Sequence, residues 1–242
     1  LSYRLTPSEL SACQGNFVTP GPWVSMGVSD AALAGEHFIA TGSGKHFRNV
    51  KRDPPANIGI VEINPEGNAW RIVWGLEGGA VPTSEFPSHF LNHAVRLTAS
   101  NGRDHVIYHA HPPNLIALTY VLPLNGRDFT RVLWQSATEC CVVFPEGVGV
   151  IPWMIPGGAD IALATSKAMK SHSAVVWPHH GLFCSGADFD ETLGLMNTIE
   201  NAAKIFVKAQ STGLKTLSTI TDDNLRAIAA AFNITLNESF LN

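Results

Sequence analysis

Short apolar runs of five to seven residues, bounded by turn residues, alternate with longer stretches of helical periodicity. This alternation constrains the fold more than any other feature of the chain. "EHFIAT" (36–41), "IGIVEI" (58–63), "WRIVW" (70–74), "HVIYHAH" (105–111), "CCVVF" (140–144) and "SAVVWP" (173–178) are rich in β-branched and aromatic residues and predict strands, as does the opening "LSYRL". Helical patterns cover 84–99, 113–122, 159–171, 190–211 and 222–232. Asp190 is expected to cap the fourth of these, and Thr83 or Ser84 the helix that runs through Pro87. "NPEGN" (64–68), "NGRD" at 101–104 and again at 125–128, and "IPGGAD" (155–160) read as turns. No repeat, low-complexity tract or linker interrupts the pattern. The expectation is a single α/β layered domain over 1–242, with a central β-sheet covered by helices.

Composition narrows the function classes. A formal net charge of -4 and no basic stripe argue against nucleic acid or an anionic membrane as a main partner. The four cysteines, Cys13, Cys140, Cys141 and Cys184, form no CxxC pair and no disulfide framework, which favours a reduced, cytoplasmic setting. No apolar run reaches membrane-spanning length.

The chemistry-bearing residues cluster at strand ends. In "HVIYHAHPPN", His109 and His111 are two apart, so a strand presents both imidazoles on one face while Ala110 points to the other. Two imidazoles side by side offer two of the ligands a transition metal needs, or simply a hydrogen-bonded surface pair. "AVVWPHHGLF" ends a second apolar strand with His179 and His180. Adjacent residues diverge in an extended chain, so at most one of these joins the first pair, and Gly181 is expected to let the backbone turn sharply. Three neutral histidines would leave the full divalent charge on a metal, suiting it to Lewis-acid work.

Two further patterns compete for attention. Glu85, His89 and His93 recur at i, i+4, i+8 on one helix face. This is not an HExxH arrangement, and a packed or intersubunit surface explains the histidines better than a metal does. "TGSGK" (41–45) closes a strand with a loop whose backbone N–H groups and hydroxyl suit a phosphate, yet it matches neither phosphate-loop fingerprint and also reads as a plain turn.

Taken together, "TGSGKHFRNV", "VPTSEFPSHFLNH", "HAHPPNLIALTYV", "ATECCVVFPEGVGVIPWMIPG" and "WPHHGLFCSG" resemble the class II, zinc-dependent aldolases of sugar phosphates, in order, from about Leu1 to Gln210. The resemblance implies one zinc ion per subunit, held by His109, His111 and His180, with His179 outside the site. It implies that Glu85 is the acid/base group and that Ser43, Gly44 and Ser84 hold the substrate phosphate. Glu139 would reach the site of a neighbouring subunit in a cyclic homotetramer. The implied reaction is reversible cleavage of a sugar phosphate to dihydroxyacetone phosphate and an aldehyde. Epimerases and dehydratases of sugar phosphates share the architecture and similar histidines. The family's phosphate site also uses a Gly/Asn-rich turn, preceded by an N-terminal helix, that is expected just ahead of "LSYRL". With every later motif intact, the expectation is that this segment lies outside residues 1–242, not that the phosphate site is incomplete.

Overall fold

The computed structural model describes residues 1–242. In chain order the elements are β1 (Ser2–Arg4), α1 (Pro7–Cys13), β2 (Val24–Ser25), β3 (His37–Thr41), α2 (Phe47–Val50), α3 (Pro54–Asn57), β4 (Ile58–Ile63), β5 (Ala69–Gly75), α4 (Phe86–Ala99) and β6 (Val106–Ala110). They continue with α5 (Pro113–Leu118), α6 (Gly126–Ser136), α7 (Cys140–Val143), β7 (Gly149–Val150), α8 (Ala159–Ala168), β8 (Ala174–Trp177), β9 (Gly181–Gly186), α9 (Phe189–Ser211) and α10 (Asp222–Ala231). The chain is mixed α/β, as its alternating pattern predicts. No helix is long and apolar enough to cross a membrane. The elements group into two compact units, Leu1–Ile107 with Met154–Lys167, and Tyr108–Trp153 with Ala168–Asn242.

In the first unit the strands follow the order β2-β5-β4-β3-β1-β6, and every neighbouring pair is antiparallel. Phe38 with Ala40, and Val61 with Ile63, are i, i+2 pairs that pack in one cluster with Phe86, Phe90, Leu91 and Ala94 of α4 and with Ala162 of α8. The spacing of Phe86, Phe90 and Ala94 is the apolar stripe that a helix must bury against a sheet. Beyond α4, the buried Asp104 accepts from Arg96 Nε at 2.9 Å. Removing one partner of such a buried ion pair costs about 3–5 kcal/mol.

In the second unit β9 lies antiparallel to β8, and β8 parallel to β7. Tyr108–Ala110, the last part of β6, belongs to this unit. Its core gathers Trp134, Phe129, Val176, Leu182 and the α9 stripe Leu195, Met196, Ile199, Ala202 and Ala203. Strands in this core are buried on both faces, which is why β8 and β9 show apolar runs in place of alternation.

Several local expectations fail in these elements. "CCVVF" is the helical turn α7, not a strand: Val142 and Val143 donate to the Glu139 carbonyl and Phe144 N to the Cys140 carbonyl, all at 3.0 Å. Asp188, not Asp190, caps α9, accepting from Glu191 N at 2.8 Å. Neither Thr83 nor Ser84 caps α4; Glu85 holds the cap position, with no side-chain cap bond. The second "NGRD" opens a helix: Asn125 accepts from Asp128 N at 2.9 Å and starts α6.

Two histidines of the first unit make folding sensitive to pH. Burial, helped by the nearby charges of Arg4 and His105, holds the His93 imidazole well below its ordinary value of 6.5. Burial also lowers half-buried His37, against the pull of Glu62. Below pH 6.5 the unfolded chain therefore binds protons that the folded chain refuses, so stability is full above that value and falls as pH drops toward the depressed folded values. The midpoint of urea unfolding should decline between about pH 7.5 and pH 5.5, and the decline should be shallower in His93→Gln.

Candidate metal centre

β6 runs through a buried interior and delivers His109 in the strand and His111 just past its end. The β8–β9 hairpin delivers His180 from its loop. The ligand nitrogens of His109, His111 and His180 all lie within 4.8 Å of one another, and no other group of three or more His, Cys, Asp or Glu side chains is drawn together in this way. Ring centroids are 5.0 Å apart for His109 and His111, 5.2 Å for His109 and His180, and 4.8 Å for His111 and His180. His111 is exposed and the other two are half-buried, an open group at the edge of a rigid core.

The surroundings fit a cation held by imidazole nitrogens. Nδ1 of His109 lies 3.0 Å from the Leu182 carbonyl oxygen, which accepts, so this ring carries its proton on Nδ1 and turns the Nε2 lone pair the other way. Nε2 of His111 and Nε2 of His180 are 3.1 Å apart. That is close to the edge of about 3.3 Å set by two nitrogens bound at ~2.05 Å to one tetrahedral zinc. Phe183 stacks on His109 with centroids 4.2 Å apart, and Trp177 lies edge-on to His180 at 5.3 Å. This apolar backing restricts ring rotation and keeps water from one side of the ligands. The cysteines do not compete. Burial pushes the Cys140 thiol up to about 12 and the Cys184 thiol higher still, so neither offers a thiolate near neutral pH.

Two backbone features bring the rings together. A Cβ at Gly181 would strike the Ala110 carbonyl oxygen and come within 3.0 Å of both His109 Cε1 and His111 Cδ2. Glycine is therefore required here for close approach. The sharp turn assigned to Gly181 from sequence belongs instead to His179, whose φ is +60. A left-handed conformation costs a residue with a Cβ about 1–2 kcal/mol. The turn also separates the two neighbours as expected: His179 is exposed, over the Tyr120 ring at 4.5 Å, and only His180 joins the group.

Beyond His111 the chain enters α5, whose cap residue Pro112 has no side chain to bond the first turn. Glu200 of α9 does so instead, accepting from Asn114 N at 3.1 Å, Asn114 Nδ2 at 2.6 Å and Leu115 N at 3.0 Å. A carboxylate on the free N–H groups of a helix start fixes the direction in which the chain leaves His111. Neither Glu200 nor the aromatic backing was singled out from sequence. Only "GLFC" following "HH" carried a signal, as an apolar run long enough for the missed strand β9.

The remaining candidates are divided between the two units. In the first, Ser43 N donates to the Val81 carbonyl and Thr83 N to the Thr41 carbonyl, both at 2.9 Å, so "TGSGK" runs beside residues 81–85. Ser43, Gly44 and Ser84 are exposed, Gly44 with φ +68, and Glu85 follows at the start of α4. His89 and His93, the rival pair, are packed: Ser2 Oγ lies 2.9 Å from His89 Nδ1 and 2.8 Å from His93 Nε2. In the second unit, Glu139 is exposed at the start of α7.

The chain belongs to the class II aldolase and adducin N-terminal domain family, whose pattern matches residues 18–207. Within that class it is 48% identical to the rhamnulose-1-phosphate aldolase of Escherichia coli O7:K1, over 97% of this chain and 85% of that one. The rhamnulose-1-phosphate aldolase of Shigella sonnei is similar to the same extent. Among solved structures, a sugar-phosphate aldolase from Thermotoga maritima matches with a TM-score of 0.73 at 25% identity, covering 90% of this chain and 87% of that one.

Because both imidazoles flank Gly181, adding one methyl there should part them. Gly181→Ala should lower stability by about 1–3 kcal/mol. It should also weaken divalent-metal binding, measured by chelator competition, at temperatures where the variant remains folded.

Proposed function

We propose that the chain is a zinc-dependent aldolase that reversibly cleaves L-rhamnulose 1-phosphate to dihydroxyacetone phosphate and L-lactaldehyde. The observation that carries this reading is the gathering of His109, His111 and His180 in a chain 48% identical to curated rhamnulose-1-phosphate aldolases. Cleavage of the carbon–carbon bond leaves a pair of electrons on the dihydroxyacetone unit. Zinc, when bound, supplies the Lewis acid that makes this charge tolerable. The three imidazoles bind as neutral ligands, so none of them diminishes the metal's charge.

The other roles follow from the motifs. Glu85 moves the proton at the carbon that becomes nucleophilic in the aldol direction. Glu139, from a neighbouring subunit of a homotetramer, assists proton exchange at the lactaldehyde oxygen. Ser43 and Ser84, through their hydroxyls, and Gly44, through its N–H, anchor the phosphate. Holding the substrate by a group remote from the reacting carbons keeps those carbons in register. The setting is the cytoplasm, where the thiols stay reduced.

Assays of dihydroxyacetone phosphate release over a panel of ketose 1-phosphates, with zinc content measured alongside, test the reading. His109→Ala and His180→Ala should lose zinc and activity together, whereas Glu85→Gln should keep zinc while kcat falls about 100- to 10,000-fold. Full activity after chelation, an epimerised product, or preference for another ketose phosphate would overturn it.

The phosphate assignment has a separate test. Ser43→Asp places a negative charge where the phosphate is to bind, so KM for the phosphorylated substrate should rise while zinc content stays unchanged. An unaltered KM would remove Ser43 from the phosphate site.

A further inference from the structure

The loop that carries His180 is tied down by a side chain from neither strand of its hairpin. Trp177 to His180 form a tight turn closed by His180 N donating to the Trp177 carbonyl at 3.1 Å. Pro178 stands second in this turn and His179, with φ +60, third. Proline second and positive φ third is the pattern of a type II turn, whose third place normally goes to glycine. A histidine there is strained and needs an outside hold.

Thr119, buried at the end of α5, provides it. Its hydroxyl donates to the Ile116 carbonyl at 2.6 Å. With its single proton so used, Oγ1 acts as an acceptor for two groups of one residue, the His179 backbone N–H at 3.1 Å and the His179 Nδ1–H at 3.1 Å. One donor and two lone pairs are the full capacity of a hydroxyl, and all three are engaged. The Tyr120 ring, at 4.5 Å, covers the same imidazole. Because Glu200 fixes the other end of α5 where the chain leaves His111, this one short helix is anchored at both ends of the histidine group.

We propose that Thr119, acting through the left-handed His179, is the positioning residue that aims His180 at the metal. The inference rests on His109, His111 and His180 being the zinc ligands. It adds that the third ligand is set by an adjoining histidine that binds no metal and by a threonine more than sixty residues earlier in the chain.

The test is zinc affinity by chelator competition, together with the visible absorption of the cobalt-substituted protein, for Thr119→Val, Thr119→Ser and His179→Gly. Valine keeps the shape of threonine but neither accepts nor donates. Thr119→Val should weaken zinc binding by about 10- to 100-fold and alter the cobalt spectrum, as loss of an outer support to a ligand does. Thr119→Ser, which retains the oxygen, should restore both. His179→Gly relieves the strain but frees the turn, so it should also weaken zinc binding; if Thr119→Val does not fold, this variant decides. Wild-type affinity and spectrum in Thr119→Val or His179→Gly, or an equal loss in Thr119→Ser, would overturn the role of Thr119. Failure of the wild-type protein to bind zinc would instead overturn the reading of the three histidines.

Discussion

The close approach of β9 to the end of β6 is the constraint on which the gathering of His109, His111 and His180 depends. His109 and His111 stand on one face of a strand end because side chains repeat every second residue there, yet two rings alone do not enclose an ion. The third ring arrives only if the next strand can pass between them, and it passes at Gly181, where a Cβ would meet the Ala110 carbonyl and both imidazoles. The same pairing brings the Leu182 carbonyl to His109 Nδ1 and lays Phe183 across the ring. A single missing methyl thus sets ligand spacing, tautomer and apolar backing together.

The gathering of the three histidines was more legible in the sequence than the elements around it, for a physical reason. A metal group is written in residue types of restricted chemistry at fixed offsets, so HxH and a second histidine at another strand end were visible without the fold. Elements depend on context. "NGRD" occurs twice with opposite outcomes: at 101–104 Asn101 and Gly102 take positive φ and end α4, whereas at 125–128 the asparagine caps α6. What separates them is the sequence beyond: the first leads into the buried strand residues Val106 and Ile107, the second into the helical stripe of Phe129, Leu133 and Trp134. "CCVVF" was misread because β-branched residues favour strands only where a strand has neighbours. Here Pro145 follows at once and holds Phe144 out of the helical region, so α7 is limited to a single turn.

Buried histidines serve two purposes that spacing alone does not distinguish. His89 and His93 recur as regularly as any metal-binding pair, but the Ser2 hydroxyl lies between their nitrogens and their helix face is closed by β1. Proton affinity at His93 is lowered by burial and by Arg4 and His105 charges, which keeps the ring neutral inside the unit. The group of His109, His111 and His180 differs in its openness: His111 is exposed and the other two are half-buried. The convergence of three rings at a partly open edge, not the count of histidines, separates this group from the packed pair.

The "HHG" that ends the hairpin inverts the usual use of its residues. By local rules the glycine would take the left-handed position and the histidines would extend on either side. The structure puts the left-handed backbone on His179 and leaves Gly181 in the strand. Moving glycine to 179 would relax the turn but remove the ring that Thr119 and Tyr120 hold. A side chain at 181 would then separate His109 from His111. Each residue is needed where it stands for a contact with another segment. Local conformational preference yields, at a cost of about 1–2 kcal/mol at one residue, to contacts with other segments: Thr119 holds the His179 ring, and Gly181 admits β9 beside His109 and His111.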